Sequence, residues 1–372
     1  IDFGYDDVLD GVVLTSNIKQ VAFLDLTDKN INDLTGIQDF IMLESITSNI
    51  GNEIEGVLDL SSNTNLSYVD LANNQLSELY LNNNSNLLDL YVYNNPTLSI
   101  LEIENSPNLQ FLNIHDNLVT DLDLSNSPKI NKMRIWNSKL ESLDLSNQTE
   151  LEVLRAQNIF KSAGKSIDLS NNPLIKIIDL RNNFIDNIDL SNNTNAEIVV
   201  LSENDLNSID LSSNSQIRIL SLQVNNLSSL DLSSINNLTL FRGLNNEFDC
   251  VTLSETQINN IPPSCLDLGI PDNFNPQDPN QEACYGWELV DLSNSYDYTS
   301  TWVLDEGVSF SLSCGAVKTN IPDDNFEQAL IDLGYDDVMD DYVLTSNINE
   351  VTALEISDKN ISDLTGIEDF LA

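Results

Sequence analysis

The side chains that could do chemistry are few in kind and skewed in type. His115 is the only histidine in 372 residues, which leaves Ser-His-Asp and Cys-His catalysis poorly supported. No glycine-rich phosphate loop follows a strand pattern. Carboxylates are so common that no pair at glycosidase spacing stands out. The reading is therefore non-catalytic. Six aspartates, Asp123, Asp144, Asp168, Asp189, Asp210 and Asp231, recur at one outward position of successive repeats. On neighbouring strands about 4.8 Å apart they would repel by ~1 kcal/mol in water before screening. One reading is a calcium ladder. The favoured one is hydrogen bonding to nearby Ser and Asn groups, because Ca²⁺ wants about six to eight oxygens converging on one point. A second acidic cluster, Asp6, Asp7 and Asp10, with its copy Asp336, Asp337, Asp340 and Asp341, lacks the spacing of an EF-hand loop. No cofactor is expected.

Charge narrows the partners. Fifty-nine acidic against fifteen basic residues leave a net charge of −44. Phosphate contacts need Lys and Arg that are scarce here, so nucleic acid is excluded as a partner and an anionic membrane would repel the chain. No apolar run is long enough for membrane insertion. Hydrophobic residues at 41% still supply a core. The opening at Ile1, without Met or a signal-peptide pattern, reads as a piece of a longer precursor. Cys250, Cys265, Cys284 and Cys314 cluster in one stretch with no Cys-x-x-Cys spacing, which favours disulfides and an oxidising location over zinc. Of three connectivities, Cys250–Cys265 and Cys284–Cys314 is expected.

The elements that position these residues come from a repeat. Apolar starts fall at Val21, Leu43, Leu66, Leu87, Leu109, Ile130, Leu151, Ile175, Ala196, Ile217 and Leu238, spaced 21 to 24 residues apart. Each of the eleven turns has a first half L-x-x-L-x-L-x-x-N, as at Leu66, Val69, Leu71 and Asn73. The second half reads L-x-x-L-D-L-S-x-N, as at Leu140, Leu143, Asp144, Leu145, Ser146 and Asn147. Alternating apolar residues mark short strands, and stacked turns bury what one turn cannot. Asn73, Asn94, Asn137, Asn158, Asn182 and Asn245 form a column expected to satisfy backbone groups at a buried bend. Asp116 and Glu203 occupy that column as imperfect substitutes, and Val224 cannot do the job. Sequons such as Asn65-Leu66-Ser67 are expected by chance among 52 asparagines.

From Val21 to about Leu253 these turns resemble leucine-rich repeats, specifically the 21-residue repeats of internalin-like bacterial surface proteins. They depart from the cysteine-bearing internalin repeats, carrying Leu, Val or Ile instead. The resemblance implies a right-handed solenoid with parallel strands on a concave face and short strands or irregular backbone on the convex side. It also implies a non-catalytic role in recognition or adhesion on a bacterial surface, or as a secreted protein. The expected order is a truncated N-terminal cap (1–20), the solenoid (21–253), a cysteine-containing C-terminal cap (254–320), and the cap and first turn of a following module (321–372). The last assignment rests on residues 331–370, which repeat 1–40 at 27 of 40 positions. The parent protein therefore reads as an array of modules, and neighbouring modules are expected partners.

Outward positions of each first strand are the second, fourth and sixth after the repeat start. They collect Tyr68, Tyr91, Tyr93, Phe111, His115, Lys132, Arg134, Trp136, Arg155, Gln157 and Arg181. Four of the five arginines (Arg134, Arg155, Arg181 and Arg242) fall in these columns. The bland reading has the arginines paired with Asp179 and nearby acids. The functional reading is a basic, aromatic patch for an extracellular glycan, an anionic polysaccharide first, or a protein. A structural spacer or fibre of tandem modules is the alternative.

Overall fold

The computed structural model describes residues 4–7, 10–248, 250–258, 301–304, 309–311, 318–336, 338–339, 341–349 and 351–371. The chain forms two compact units, Ile1–Ser309 and Phe310–Ala372. The first is a parallel β-solenoid with a leucine-rich-repeat-like turn of about 21 residues.

Each repeat start is followed by a three-residue strand. Phe23–Asp25, Ser45–Thr47, Tyr68–Asp70, Asp89–Tyr91, Phe111–Asn113 and Lys132–Arg134 lead the series. Val153–Arg155, Ile177–Asp179, Ile198–Val200, Ile219–Ser221 and Leu240–Arg242 continue it in one parallel sheet. The middle residue of each strand faces inward, and Ile46, Val69, Leu90, Leu112, Met133, Leu154, Ile178, Val199, Leu220 and Phe241 are all fully buried. Full burial of one such side chain is worth ~1.5–3 kcal/mol, and it is available only because the neighbouring turn supplies the other wall. A twelfth strand, Thr301–Val303, pairs with Leu240–Arg242 and comes from the stretch expected to cap the solenoid.

The opposite side is less regular. Glu55–Asp59, Gln75–Tyr80 and Ile100–Glu102 form one short parallel sheet, and Ser229–Asp231 pairs with Cys250–Thr252. Between these, the runs containing Asp123, Asp144, Asp168, Asp189 and Asp210 are not strands. Lone inter-turn bonds such as Lys139 N to Val119 O and Glu141 N to Thr120 O hold them instead.

The asparagine column is corrected by one residue. Asn73, Asn94, Asn137, Asn158, Asn182 and Asn245 have left-handed backbones, with φ between 53° and 56°. Asn is the residue best suited to that conformation after glycine, because its short polar side chain carries the smallest penalty there. Their side chains lie toward solvent and bond to one another along the surface, Asn94 Nδ2 to Asn73 Oδ1 (2.7 Å) and Asn158 Nδ2 to Asn137 Oδ1 (2.8 Å). Burial belongs to the next residue. Asn74, Asn95, Asn117, Asn183, Asn204 and Asn225 are buried. Asn204 shows the pattern: Nδ2 donates to Leu180 O and Leu201 O, while Oδ1 accepts from Asn183 N and Ile185 N. A second buried amide column, Asn63, Asn84, Gln148, Asn172, Asn193 and Asn214, donates to carbonyls of the preceding turn from the other side of the coil.

The second unit holds a helix, Asp324–Asp332, whose N-cap Asp323 accepts from Asn325 N and Phe326 N. Strand Lys318–Asn320 lies antiparallel to Tyr342–Leu344. The short helices Thr345–Ile348 and Ile367–Asp369 repeat Thr15–Ile18 and Ile37–Asp39 at the offset of 330 residues. Of the four cysteines only Cys250 is described, so both expected disulfides lie outside the described residues, as do Asp337 and Asp340 and most of 254–317.

Candidate functional site

Strand alternation puts the second, fourth and sixth residues after each repeat start on the outer face of the long sheet, one rung above the next. Two ring columns result. Tyr68 and Tyr91 are tilted at 5.6 Å, Tyr91 meets Phe111 edge-on at 5.0 Å, and the Arg134 guanidinium sits 5.4 Å from the Phe111 centroid. Beside them Tyr93 stacks on His115 at 4.6 Å, and His115 stacks on Trp136 at 3.9 Å with 11° between planes. These contacts join side chains one turn apart, so the strand ladder itself sets the spacing. Both faces of His115 are covered, and one face each of Tyr93 and Trp136. Between these two rings His115 offers an edge, not a face.

Burial shapes the electrostatics at the Tyr68 end. The Tyr68 hydroxyl is pushed up to about 12 by desolvation, with Asp70 and neighbouring groups adding to it. Burial also raises the Asp70 and Asp89 carboxyls, the first despite the amide of Asn49 at 2.6 Å and the second despite Lys132 nearby. Desolvation lowers the His115 imidazole against the pull of Asp116, whose Oδ2 lies 2.6 Å from Nδ1.

The basic residues gather at the other end. Nine of the fifteen Lys and Arg residues lie between Lys129 and Arg181, against six acids in the same stretch, so this belt is positive in a protein of charge −44. Lys132 is exposed, and Arg134 and Arg155 are half-buried on adjacent strands in direct register. Arg181 is committed internally: Nε and Nη2 grip the buried Asp179 at 3.1 and 2.6 Å, and Gln157 Nε2 donates to the same carboxylate at 2.6 Å. For Arg181 the pairing with Asp179 thus holds, and Gln157 and Arg181 serve as one end of the patch more than as reaching groups.

Beyond Asp179 the outer face changes character. Ile198, Val200 and Ile219 are buried there and pack with Ile177 and Leu240. That apolar half was not expected, although β-branched residues at two outward positions of one turn signal it. The exposed and half-buried rings and cations described above lie on the turns from Tyr68 to Arg181.

The aspartates of the second half-repeat behave as turn residues. Oδ1 of Asp123, Asp144, Asp168, Asp189, Asp210 and Asp231 each accepts the amide of the serine two residues on, at 2.8–2.9 Å. Those bonds to Ser hold the Asp123, Asp144, Asp168, Asp189 and Asp210 carboxyls below their usual range. Among the described residues no three His, Cys, Asp or Glu side chains converge as a cation site requires. No helix among them is long and apolar enough to cross a membrane.

No family model and no curated protein matches the chain. Among solved structures it is similar to the functional domain of InlJ from Listeria monocytogenes, described as including a cysteine ladder, with 19% identity over 64% of this chain and 69% of that one, TM-score 0.41. An internalin of the same species, InlF, is 18% identical over 65% of this chain and 83% of that one, TM-score 0.47. A leucine-rich-repeat protein of Leptospira interrogans is 16% identical over 62% and 73%, TM-score 0.40.

Proposed function

We propose that the chain is a non-catalytic recognition module that binds an extracellular ligand on the outer face of its long sheet, between Tyr68 and Arg181. The observation that carries this reading is a coincidence of place. The ring columns and the positive belt lie next to each other along one face and meet at Arg134 and Trp136, while the chain as a whole is strongly acidic and the far end of the face is apolar. Ring edges, tyrosine hydroxyls and guanidinium groups suit a ligand with carboxylate or sulfate groups and hydrogen-bonding hydroxyls. An anionic polysaccharide is the first candidate and an acidic protein segment the second. A bacterial surface or secreted location belongs to the same proposal, as do the disulfides Cys250–Cys265 and Cys284–Cys314.

The test is a glycan array with the chain, repeated with Arg134 and Trp136 both replaced by Ala. Binding to acidic glycans that disappears in the double variant, with Tm unchanged within a few degrees, supports the site. Full binding by the double variant sinks it. A second reading, tandem modules acting as a spacer, is favoured by the duplicated cap, and it leads if neither glycan nor protein ligand is retained.

A further inference from the structure

Most buried polar side chains on the outer face of the long sheet have a protein partner. Asp70 accepts from Asn49 Nδ2 at 2.6 Å, Asp179 accepts from Arg181 and Gln157, and the Ser202 and Ser221 hydroxyls bond each other at 2.7 Å. Asn113 departs from this pattern. It is 4% exposed, yet its Oδ1 is buried with no hydrogen-bond partner among the described residues. Gln157 Oε1 is in the same condition, although its Nε2 is committed to Asp179. Leaving a buried acceptor unpaired is costly, so an arrangement that keeps two of them calls for a donor from outside.

The two acceptors flank one strand. Register sets Asn113 directly beside Arg134 of strand Lys132–Arg134, and the next rung, Val153–Arg155, leads into Gln157. Arg134 thus stands between them. Its guanidinium rests 5.4 Å from the Phe111 centroid and makes no ion pair among the described residues, whereas Arg181 is held by Asp179 and Arg218 by Glu197.

The chemistry that fills this arrangement is specific. A guanidinium fork takes a carboxylate in two parallel bonds. The acceptors, about 4.8 Å to either side by rung spacing, need hydroxyl or amide donors and repel further anionic oxygens. A sugar acid meets both demands, with one carboxylate on each ring and free hydroxyls around it. A densely sulfated chain does not, because each sulfate puts acceptor oxygens where the hydroxyls were.

We infer that Asn113 and Gln157 are specificity-determining residues which, with Arg134, select a polyuronate with free ring hydroxyls and run its chain across the strands, along the stack of turns. The inference rests on the recognition reading above and names the sugar class for that same site. Asn113 is the deeper of the two, so a ligand hydroxyl reaches it as Arg134 turns from Phe111 onto the carboxylate.

The probes are an oligogalacturonate, the same oligomer with its hydroxyls acetylated, and dextran sulfate, titrated calorimetrically into the full chain at fixed salt. The native chain is expected to bind the free oligomer about tenfold or more tightly than either of the others, a comparison that needs no variant. Asn113→Leu removes the acceptor at nearly constant shape. It should weaken the free oligomer about tenfold, leave the acetylated one as it was, and leave Tm unchanged or higher, because no protein group loses a partner. Arg134→Ala with Trp136→Ala, run alongside, tests the recognition reading by itself. If that double variant abolishes binding while Asn113→Leu changes nothing, the face stands and this inference falls. Dextran sulfate bound as tightly as the oligogalacturonate, or an equal loss of both oligomers in Asn113→Leu, overturns it as well. So does a native chain that binds no oligogalacturonate, and the glycan array then judges the face alone.

Discussion

Val224 is the one β-branched residue in the left-handed asparagine column, with φ of 58°. An L-residue without a compatible side chain loses ~1–2 kcal/mol in that conformation, and a β-branched one sits at the upper end. The side chain is 44% exposed, so replacing it forfeits little buried apolar area. Its amide bond to Leu244 O, at 2.8 Å, is a backbone bond that any residue but proline keeps. Val224→Asn is therefore expected to stabilise the fold by ~1 kcal/mol, about 2 °C in Tm for a unit of this size. Val224→Gly should gain less, because glycine also frees the unfolded chain. The reciprocal change, Asn158→Val, adopts the penalty and loses the bond to Asn137, so a cost of ~2 kcal/mol is expected. Urea denaturation followed by circular dichroism, at constant m-value, measures all three. If Val224→Asn is neutral or worse while Asn158→Val is harmless, the column is not selected for backbone conformation and the reasoning fails.

Replacing Asn183 by Leu strands the amides of Ile159 and Phe160 and the carbonyls of Ala156 and Leu180 in a fully buried place. A loss of ~3–5 kcal/mol in urea is expected, and one below ~1 kcal/mol would show that the amide is dispensable. The His115 imidazole is lowered by burial, so the unfolded chain binds its proton more readily. Its contribution is complete above the ordinary value of 6.5 and is lost as pH falls through that value toward the folded one. Between pH 7 and 5 the native chain should lose more stability than His115→Phe, and parallel curves would refute the assignment. Addition of EDTA should leave Tm unchanged, because the repeated aspartates are engaged by serine amides; a fall of several degrees would restore the calcium ladder.

Much of this was legible because the same error-correcting pattern is written eleven times. The spacing of Leu66, Leu87 and Leu109 fixes where strands begin, and alternation then places Tyr93, His115 and Trp136 in one column. Their face-to-face stacking follows from the rung spacing and was readable in principle. The buried asparagine was misplaced because the two candidates are adjacent, as in Asn73-Asn74 and Asn182-Asn183. The substitutions separate them: Asp116, Glu203 and Val224 all enter the first column, whereas the second admits only the uncharged Ser138 and Ile159. A position that accepts lone carboxylates is not one that buries its side chain. The pairing of Arg181 with Asp179, two residues away, was legible as one of two readings, whereas the burial of Asp179 comes from the strands paired on either side of it and is not written in its own turn.

The buried amides also fix the direction in which one turn leans on another. Asn204 reaches Leu180 O, Asn225 reaches Leu201 O and Asn246 reaches Leu222 O, always one repeat toward the N-terminus. Where adjoining turns both carry the amide, the joints are alike. Excising or duplicating a whole 21-residue repeat there, in register, recreates the same joint at the seam. Length is thus a variable that recombination can change in units of one rung. A ligand patch written on one set of rungs can be carried nearer to or farther from its anchor without being redesigned.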